Sequence, residues 1–526
     1  MSSRLARSAG IISVATMASR VLGVVRELVL AALFGAGDAM DAFFVAFRIP
    51  NLVRDLFAEG AMSAAFVPTF TRYLTTRGKA DAWRLGNLVI TALLIVTGTL
   101  VVAGLVFADP LVRVIAGDYA TVPAKLELTV LLTRIMLPFL TMVAIAVALM
   151  GMLNALRHFF VPALSPAMFN VATIVCAFVV VPLMKPLGLP PIAGIAIGTL
   201  VGGLGQIAVQ WPVLRREGYR YQPIVDARDA GLKEVLLLMG PGTLGLAAVQ
   251  INIFVNTVLA TGQGTGAVSW LSYAFRLMYL PIGLFGVSIA TAALPDISRF
   301  AAAGDPGGMR RTLSSGLRMM LMLNVPATVG LMALAAPIVS LIFERGQFAA
   351  DQSTGPTAAA LMCYAPGLVG YSAVKIATPT FYALRDSRTP VLVSVASVMV
   401  NLVLNLTLVR VLGYRGLALG TAIAALFNAS LLMVLLRRRL DGLEAGRIAI
   451  AFGKIATASL VMGAVAVVVE SWLEGALPGS STLVRLVRVS GAIGAALLAL
   501  AAAARLLRIE EFDEALARVT ARLTRR

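Results

Sequence analysis

SRVLGVVRE, residues 19–27, places Arg20, Arg26 and Glu27 inside an apolar run that extends from about Ala6 to Gly35. DAFFVAFRIPNLVRDLFAEGAMSAAFVPTF, residues 41–70, follows at once and carries Asp41, Arg48, Arg54, Asp55 and Glu59. A helix needs about 20 largely apolar residues to cross a bilayer, and both segments have that length. A charge at membrane depth costs about 2.5–3.5 kcal/mol on insertion scales, so it faces a protein interior or a water-filled cavity. Two successive spans with this charge content predict a polar chamber inside the membrane.

Composition agrees. The 526 residues are 59% hydrophobic and 13% charged, with a mean hydropathy of +0.89. A soluble protein of this size could not cover its surface with so few polar groups. The apolar runs are long and continuous, which excludes the short alternating strands of a β-barrel. The net charge is +18. Nucleic acid is not implied, because the basic residues cluster in alternate loops. Arg72, Arg77, Lys79 and Arg84 form one cluster, and Arg215, Arg216, Arg220, Arg228 and Lys233 another. Arg310 with Arg311, Arg385 with Arg388, and Arg437 to Arg439 mark three more, whereas Gly35–Met40 and Thr261–Val268 carry none. By the positive-inside rule the basic loops and both basic termini are cytoplasmic, so the number of spans is even. The first apolar run contains charges and outlasts a cleavable signal, so it is read as a retained span. Cys176 and Cys363 lie in apolar segments without the spacing of a metal site or a redox pair.

The expected fold is an all-α polytopic membrane protein of about 14 transmembrane helices. The expected spans are 7–34, 40–72, 86–108, 126–155, 160–183, 190–214, 233–261, 267–299, 312–343, 357–384, 390–411, 415–437, 448–470 and 484–507. Tyr221–Lys233 has the mixed pattern of a segment lying along the interface, and Ile509, Phe512, Leu516, Val519 and Leu523 recur at helical spacing in the tail. The chain also repeats itself. Ala46-Phe47-Arg48 recurs as Ala274-Phe275-Arg276, and Ala155-Leu156-Arg157 as Ala383-Leu384-Arg385, both 228 positions later. Leu56-Phe57, Pro138 and Pro162 keep that offset, and Gly194 to Thr199 recurs as Gly416 to Thr421 at 222. This predicts two six-helix lobes in the same orientation, the architecture in which repeats flank a central substrate site. The lobes are assigned to 1–220 and 221–440, with two further helices and a cytoplasmic tail in 441–526.

Asp41, Arg48 and Asp55 recur every seven residues, nearly one face of a helix, and Glu59 adds a step of four. These groups could pair with one another and lock helices. Around Arg20, Arg26, Arg54 and Arg276, however, basic groups outnumber convenient acids, and unpaired guanidinium groups in a dry core would be prohibitive. A cavity that receives an anion resolves this, because the planar guanidinium suits phosphate and carboxylate oxygens and stays protonated at depth. Arg26 and Arg54 from the first lobe with Arg276 from the second would form a triad. Arg134 fits a snorkelling position near a helix end, and Lys375 either the cavity or the interface. Asn401 and Asn405, four apart, with Thr421 could bind a cation or hydrogen-bond between helices. The only histidine, His158, stands in a basic loop. No metalloprotease, phosphate-loop or Ser/His/acid pattern is present, so an enzyme is not expected, nor a nucleotide-driven pump.

SRVLGVVRE, residues 35–68 (GAGDAMDAFFVAFRIPNLVRDLFAEGAMSAAFVP), residues 273–299 (YAFRLMYLPIGLFGVSIATAALPDISR) and LIFERGQF at 341–348 closely resemble the MurJ (MviN) family of lipid II flippases. That family lies within the multidrug/oligosaccharidyl-lipid/polysaccharide exporter superfamily, and the resemblance covers essentially the whole chain. It implies alternating access and a cationic cavity for the diphosphate and headgroup of lipid II. It also implies a groove on spans thirteen and fourteen for the polyprenyl tail. By motif position the family's important residues fall on Arg20, Arg26, Arg54, Arg276, Glu27, Asp41 and Glu59. Some members carry an acid where this chain has Tyr279, and some resemble a sodium site with acids where this chain has Asn256 and Asn405. Hard cations favour charged oxygen ligands, so no metal and no cofactor is expected. The expected partners are lipid II, membrane lipids and cell-wall synthesis proteins, with no nucleic acid. The expected state is a monomer in the inner membrane of a bacterium. The rival readings are a related exporter of drugs or of another polyprenyl-linked glycan, a non-transporting scaffold of the cell-wall machinery, and a lipid-modifying enzyme.

Overall fold

The computed structural model describes residues 3–55, 62–514 and 516. All of the regular elements among them are helices, and they divide into two compact units. The first unit comprises Met1–Ser269 and Arg345–Asp351, the second Trp270–Glu344 and Gln352–Arg526. Among the described residues nine helices are long and apolar enough to cross a membrane, or ten if one bent pair is a single span. The chain is therefore an all-α, multi-pass membrane protein.

The helices of the first unit are α1 (Ser3–Phe34), α2 (Asp38–Arg54), α3 (Ser63–Thr76), α4 (Lys79–Val106), α5 (Ala108–Ala116), α6 (Lys125–Met136), α7 (Phe139–Ala155), α8 (Phe160–Val179), α9 (Val181–Met184), α10 (Ala193–Arg216) and α11 (Ala230–Thr261). Gly35, at φ +64°, ends α1 in the left-handed region that glycine reaches without strain. Gly37 then opens α2, whose first turn carries Asp38 and Asp41, where negative charge suits the helix N-terminus. Asp229 caps α11 by accepting from Gly231 N at 2.8 Å and Leu232 N at 3.1 Å. α1 packs on α8, α8 on α10, α10 on α7, and α2 on α6. Gly198 and Gly202 on α10 let it approach α8 closely, and Gly194, four residues earlier, does the same against α9. A Cβ at any of the three would stand 2.9 Å from Val181, Cys176 or Phe169 respectively.

α12 (Ala267–Pro281) leads from the first unit into the second. Beyond Pro281 the backbone widens into a π-helical turn over Ile282–Gly286, so the expected span 267–299 is not a regular helix. Then follow α13 (Val287–Ala302), α14 (Pro306–Ala333), α15 (Ala335–Phe343), α16 (Gln347–Ala350, within the first unit), α17 (Thr354–Tyr364), α18 (Gly367–Ala383), α19 (Arg388–Leu412), α20 (Tyr414–Arg439), α21 (Ala445–Ala476) and α22 (Thr482–Leu506). α20 packs on α19 through Gly416 and Gly420, which stand 222 positions after Gly194 and Gly198. The repeated glycine pair thus does the same work in each unit. α21 and α22 pair with each other and α21 lies on α14, with Ile455, Ala458, Ala492 and Ala504 fully buried.

One expectation changes in detail: the span 312–343 breaks at Leu334 into α14 and α15. Within the span 40–72 the described residues form α2 and α3, and 56–61 lie outside the described residues. Tyr221 to Asp229 contains no helix. That segment is fastened to α4. Thr91 Oγ1 meets Tyr221 Oη at 3.1 Å and accepts from Ile224 N at 3.3 Å, and Asn87 donates to Arg220 O at 3.3 Å. In the tail, residues 510–514 and 516 are helical. Val519 and Leu523 lie outside the described residues.

Candidate functional site

Arg26 and Glu27 are neighbours on α1, and both are shielded, with side chains 15% and 8% exposed. Glu27 Oε1 accepts from Arg26 Nε at 3.1 Å and Nη2 at 2.5 Å. The guanidinium carbon also lies 4.9 Å from the centroid of the Phe169 ring on α8. Arg20, two turns earlier, is exposed. Arg54, at the end of α2, donates Nε and Nη2 to Asp55 Oδ1 at 3.0 and 2.8 Å.

Asp55 of the stripe pairs with the adjacent Arg54, whereas stripe members seven residues apart are separated by a rise of about 10 Å. The stripe also meets other elements. Arg48 Nε donates to Thr257 Oγ1 at 3.4 Å, and Asp55 Oδ2 accepts from Gln250 Nε2 at 3.2 Å. Thr257 and Gln250 are themselves seven apart on α11, so two stripes run against each other. Asn51 Oδ1 and Gln250 Oε1, in the same region, are buried without a hydrogen-bond partner among the described residues.

Asp41 heads the stripe and is fully buried. Its carboxylate accepts from Gly266 N at 2.7 Å, Ser269 N at 2.9 Å, Ser269 Oγ at 2.7 Å and Lys125 Nζ at 3.0 Å. It therefore caps the N-terminus of α12 with a charge-assisted set. Lys125 also reaches Asp38 Oδ1 at 2.8 Å and lies 4.1 Å from the Tyr119 ring centroid. Sequence reasoning missed Lys125, Gln250, Thr257 and Phe169. Lys125 stands one residue before an expected span, where a lysine usually snorkels to water, and only its partners keep it inside.

Glu59 lies outside the described residues. Arg276 belongs to the second unit, half-buried on α12 beside an aromatic group in which Phe275 meets Tyr279, Tyr364 and Tyr371. Arg134 and Lys375 are exposed. Asn401 and Asn405 are buried, and Asn405 Nδ2 donates to Asn401 Oδ1 at 3.1 Å along α19. Thr421 Oγ1 donates to Leu417 O at 2.8 Å within α20.

The second unit also contains an apolar cavity of about 470 Å³. Pro326 and Gly330 of α14, Met462 and Ala466 of α21, and Ala496 and Leu500 of α22 line it. Phe512 and Leu516 of the tail complete the wall. Nearby, Arg318 of α14 pairs with Glu511, which fastens the tail to the unit.

A family profile described as "Lipid II flippase MurJ" matches residues 30–487. The chain is 37% identical over 442 residues to "Probable lipid II flippase MurJ" of Vibrio cholerae, covering 82% of this chain and 83% of that protein. It is 36% identical over 428 residues to "Lipid II flippase MurJ" of Burkholderia cenocepacia, covering 81% and 82%. Among solved structures, "Lipid II flippase MurJ, inward closed conformation" superposes with a TM-score of 0.76 at 24% identity, covering 94% of this chain and 99% of that one. An inward-facing multidrug resistance MATE family transporter of the MOP superfamily superposes at 0.70 with 18% identity, covering 83% and 99%. At these identities the two structures speak to the fold.

Proposed function

Because the chain belongs to the lipid II flippase MurJ family, we propose a residue-level account of how it moves its substrate. The protein is a transporter, not an enzyme. It flips the lipid-linked peptidoglycan precursor across the membrane by alternating access. The observation that carries the account is the pair of shielded arginines Arg26 and Arg54. Each is oriented by the acid that follows it in sequence.

The diphosphate binds Arg26 and Arg54 together with Arg276, and Arg20 adds to the positive field at the cavity mouth. Glu27 and Asp55 hold the guanidinium planes, and the substrate's oxygens enter as further acceptors. Asp41 fastens α2 to the start of α12, and Glu59 completes the acidic set. Two six-helix lobes, spans one to six and seven to twelve, alternate around this site, with both termini in the cytoplasm of a bacterium. The apolar cavity between α14, α21 and α22 receives part of the polyprenyl tail, since its named walls offer no hydrogen-bonding side chain. The protein works as a monomer in the inner membrane, alongside cell-wall synthesis proteins.

The test is lipid II accessibility in cells depleted of this protein. A periplasmic enzyme that cleaves lipid II reports the outward-facing pool. The pool collapses on depletion, returns with wild-type protein, and does not return with R54A, although R54A is inserted normally. An unchanged pool, in a cell with no second flippase, would favour a related exporter of another polyprenyl-linked glycan. Full rescue by R54A would remove the arginine cavity from the account.

A further inference from the structure

We propose that Phe169 is a positioning residue for Arg26, its ring holding the guanidinium where an anionic headgroup meets it. The inference rests on the reading of Arg26 as a diphosphate ligand and deepens it.

The argument starts with one face of α1. Ser19, Gly23 and Arg26 are spaced by four and three, so they share a side of the helix. All three meet the same turn of α8. Asn170 Nδ2 donates to Ser19 O at 3.1 Å. A Cβ at Gly23 would stand 3.7 Å from Asn170 Nδ2. Arg26 Cζ lies 4.9 Å from the ring centroid of Phe169, the adjoining residue. The guanidinium is thus held at an edge by Glu27 and on a face by the ring.

The ring has its own support. Phe169 stacks on Phe47 of α2, with centroids 5.8 Å apart and planes at 19°. It also meets Phe139 of α7 at 5.5 Å, and Phe47 meets Phe139 at 5.7 Å. On the far side, a Cβ at Gly202 would fall 2.9 Å from Phe169 Cα and 3.1 Å from its Cδ2. A ring packed this way keeps one rotamer, so it is organised before any ligand arrives.

The chemistry of the ring suits the task. Its quadrupole attracts the cation without hydrogen-bonding to it, so it occupies no N–H. A second carboxylate would orient Arg26 as well, but it would place another negative charge against an incoming diphosphate. The aromatic face supplies orientation without that repulsion.

The experiment measures equilibrium binding of lipid II to purified full-length protein in nanodiscs. The variants are F169L, F169W, R26A and F169L/R26A, each checked by its melting temperature. F169L weakens binding by about 3- to 30-fold, the span expected for a cation–π contact from exposed to desolvated settings. F169W restores binding to near wild type. F169L causes no further loss when Arg26 is already alanine. Equal loss from F169L in both backgrounds would mean packing alone and overturn the proposal, as would wild-type binding by F169L. If F169L does not fold, F169M is read by the same criteria. Wild-type binding by R26A would instead remove Arg26 as a ligand, and the inference would fall with that reading.

Discussion

Lys125 and Asp41, 84 residues apart in the chain, form a buried ion pair with Nζ 3.0 Å from Oδ2 and side chains 1% and 0% exposed. Removing one partner leaves an uncompensated charge in a dry place, which costs about 3–5 kcal/mol. K125M is expected to lower stability by that amount, measured by denaturant unfolding in micelles. D41N/K125M should recover part of the loss, because no buried charge is left uncompensated and the amide oxygen still accepts from Ser269, although its NH2 then faces Gly266 N–H. Wild-type stability in K125M would show that the pair contributes nothing.

Gly346 sits at φ +52°, ψ −128°, a backbone conformation that residues with a Cβ rarely adopt. A Cβ there would also collide with the carbonyl oxygen of Ala32 on α1. The neighbouring contact, Ala36 N to Asp351 Oδ2 at 3.3 Å, secures the same short segment to the end of α1. G346A should cost on the order of 2–3 kcal/mol through strain and displacement. Cleavage by added protease in the 345–351 segment should rise in parallel. Unchanged protection would mean that the segment accommodates the methyl group.

Ala496 is 5% exposed and lines the apolar cavity of the second unit. A496W fills part of that space. Binding of full-length lipid II should weaken about tenfold, the equivalent of roughly 1.4 kcal/mol. Binding of an analogue with a short, soluble tail should stay at the wild-type value. A parallel loss for both ligands would show that the cavity acts on the headgroup or on folding, and not on the tail.

Asp386, in the loop between α18 and α19, accepts from Thr389 N at 3.0 Å and Thr389 Oγ1 at 2.8 Å. The backbone bond and then the hydroxyl bond hold its carboxyl below the ordinary value of 3.8. In the unfolded chain the group takes up a proton more readily, so its contribution is complete well above pH 3.8. That contribution is lost as pH falls through the lower folded value. D386A should therefore be less stable than wild type at pH 7, by about 0.5 kcal/mol at this solvent-screened site. The gap should close as unfolding is followed down towards pH 3. A gap that widens on acidification would refute the assignment.

Much of this could be read from the chain. Charges inside apolar spans pointed to Arg26, Glu27, Arg54 and Asp41, because membrane depth makes each of them expensive. The seven-residue stripe of α2 was visible, but its partners were not. The partners Thr257 and Gln250 are common polar residues in a long apolar helix, and nothing local distinguishes them. Lys125 was hidden by its place at the edge of a span. Phe169 was hidden because an aromatic residue in a membrane helix needs no special explanation.

The sequence by itself determined the all-α, multi-pass membrane class and marked the repeated segment Gly194–Thr199 and Gly416–Thr421. The class follows from a local term, the length of the apolar runs. Only the tertiary structure decided which acid meets which base, which ring lies over Arg26, and where the tail meets the apolar cavity. Those choices depend on distances of a few ångströms between residues far apart in the chain. Coulomb and cation–π energies act over just such distances, and no periodicity within one helix encodes them.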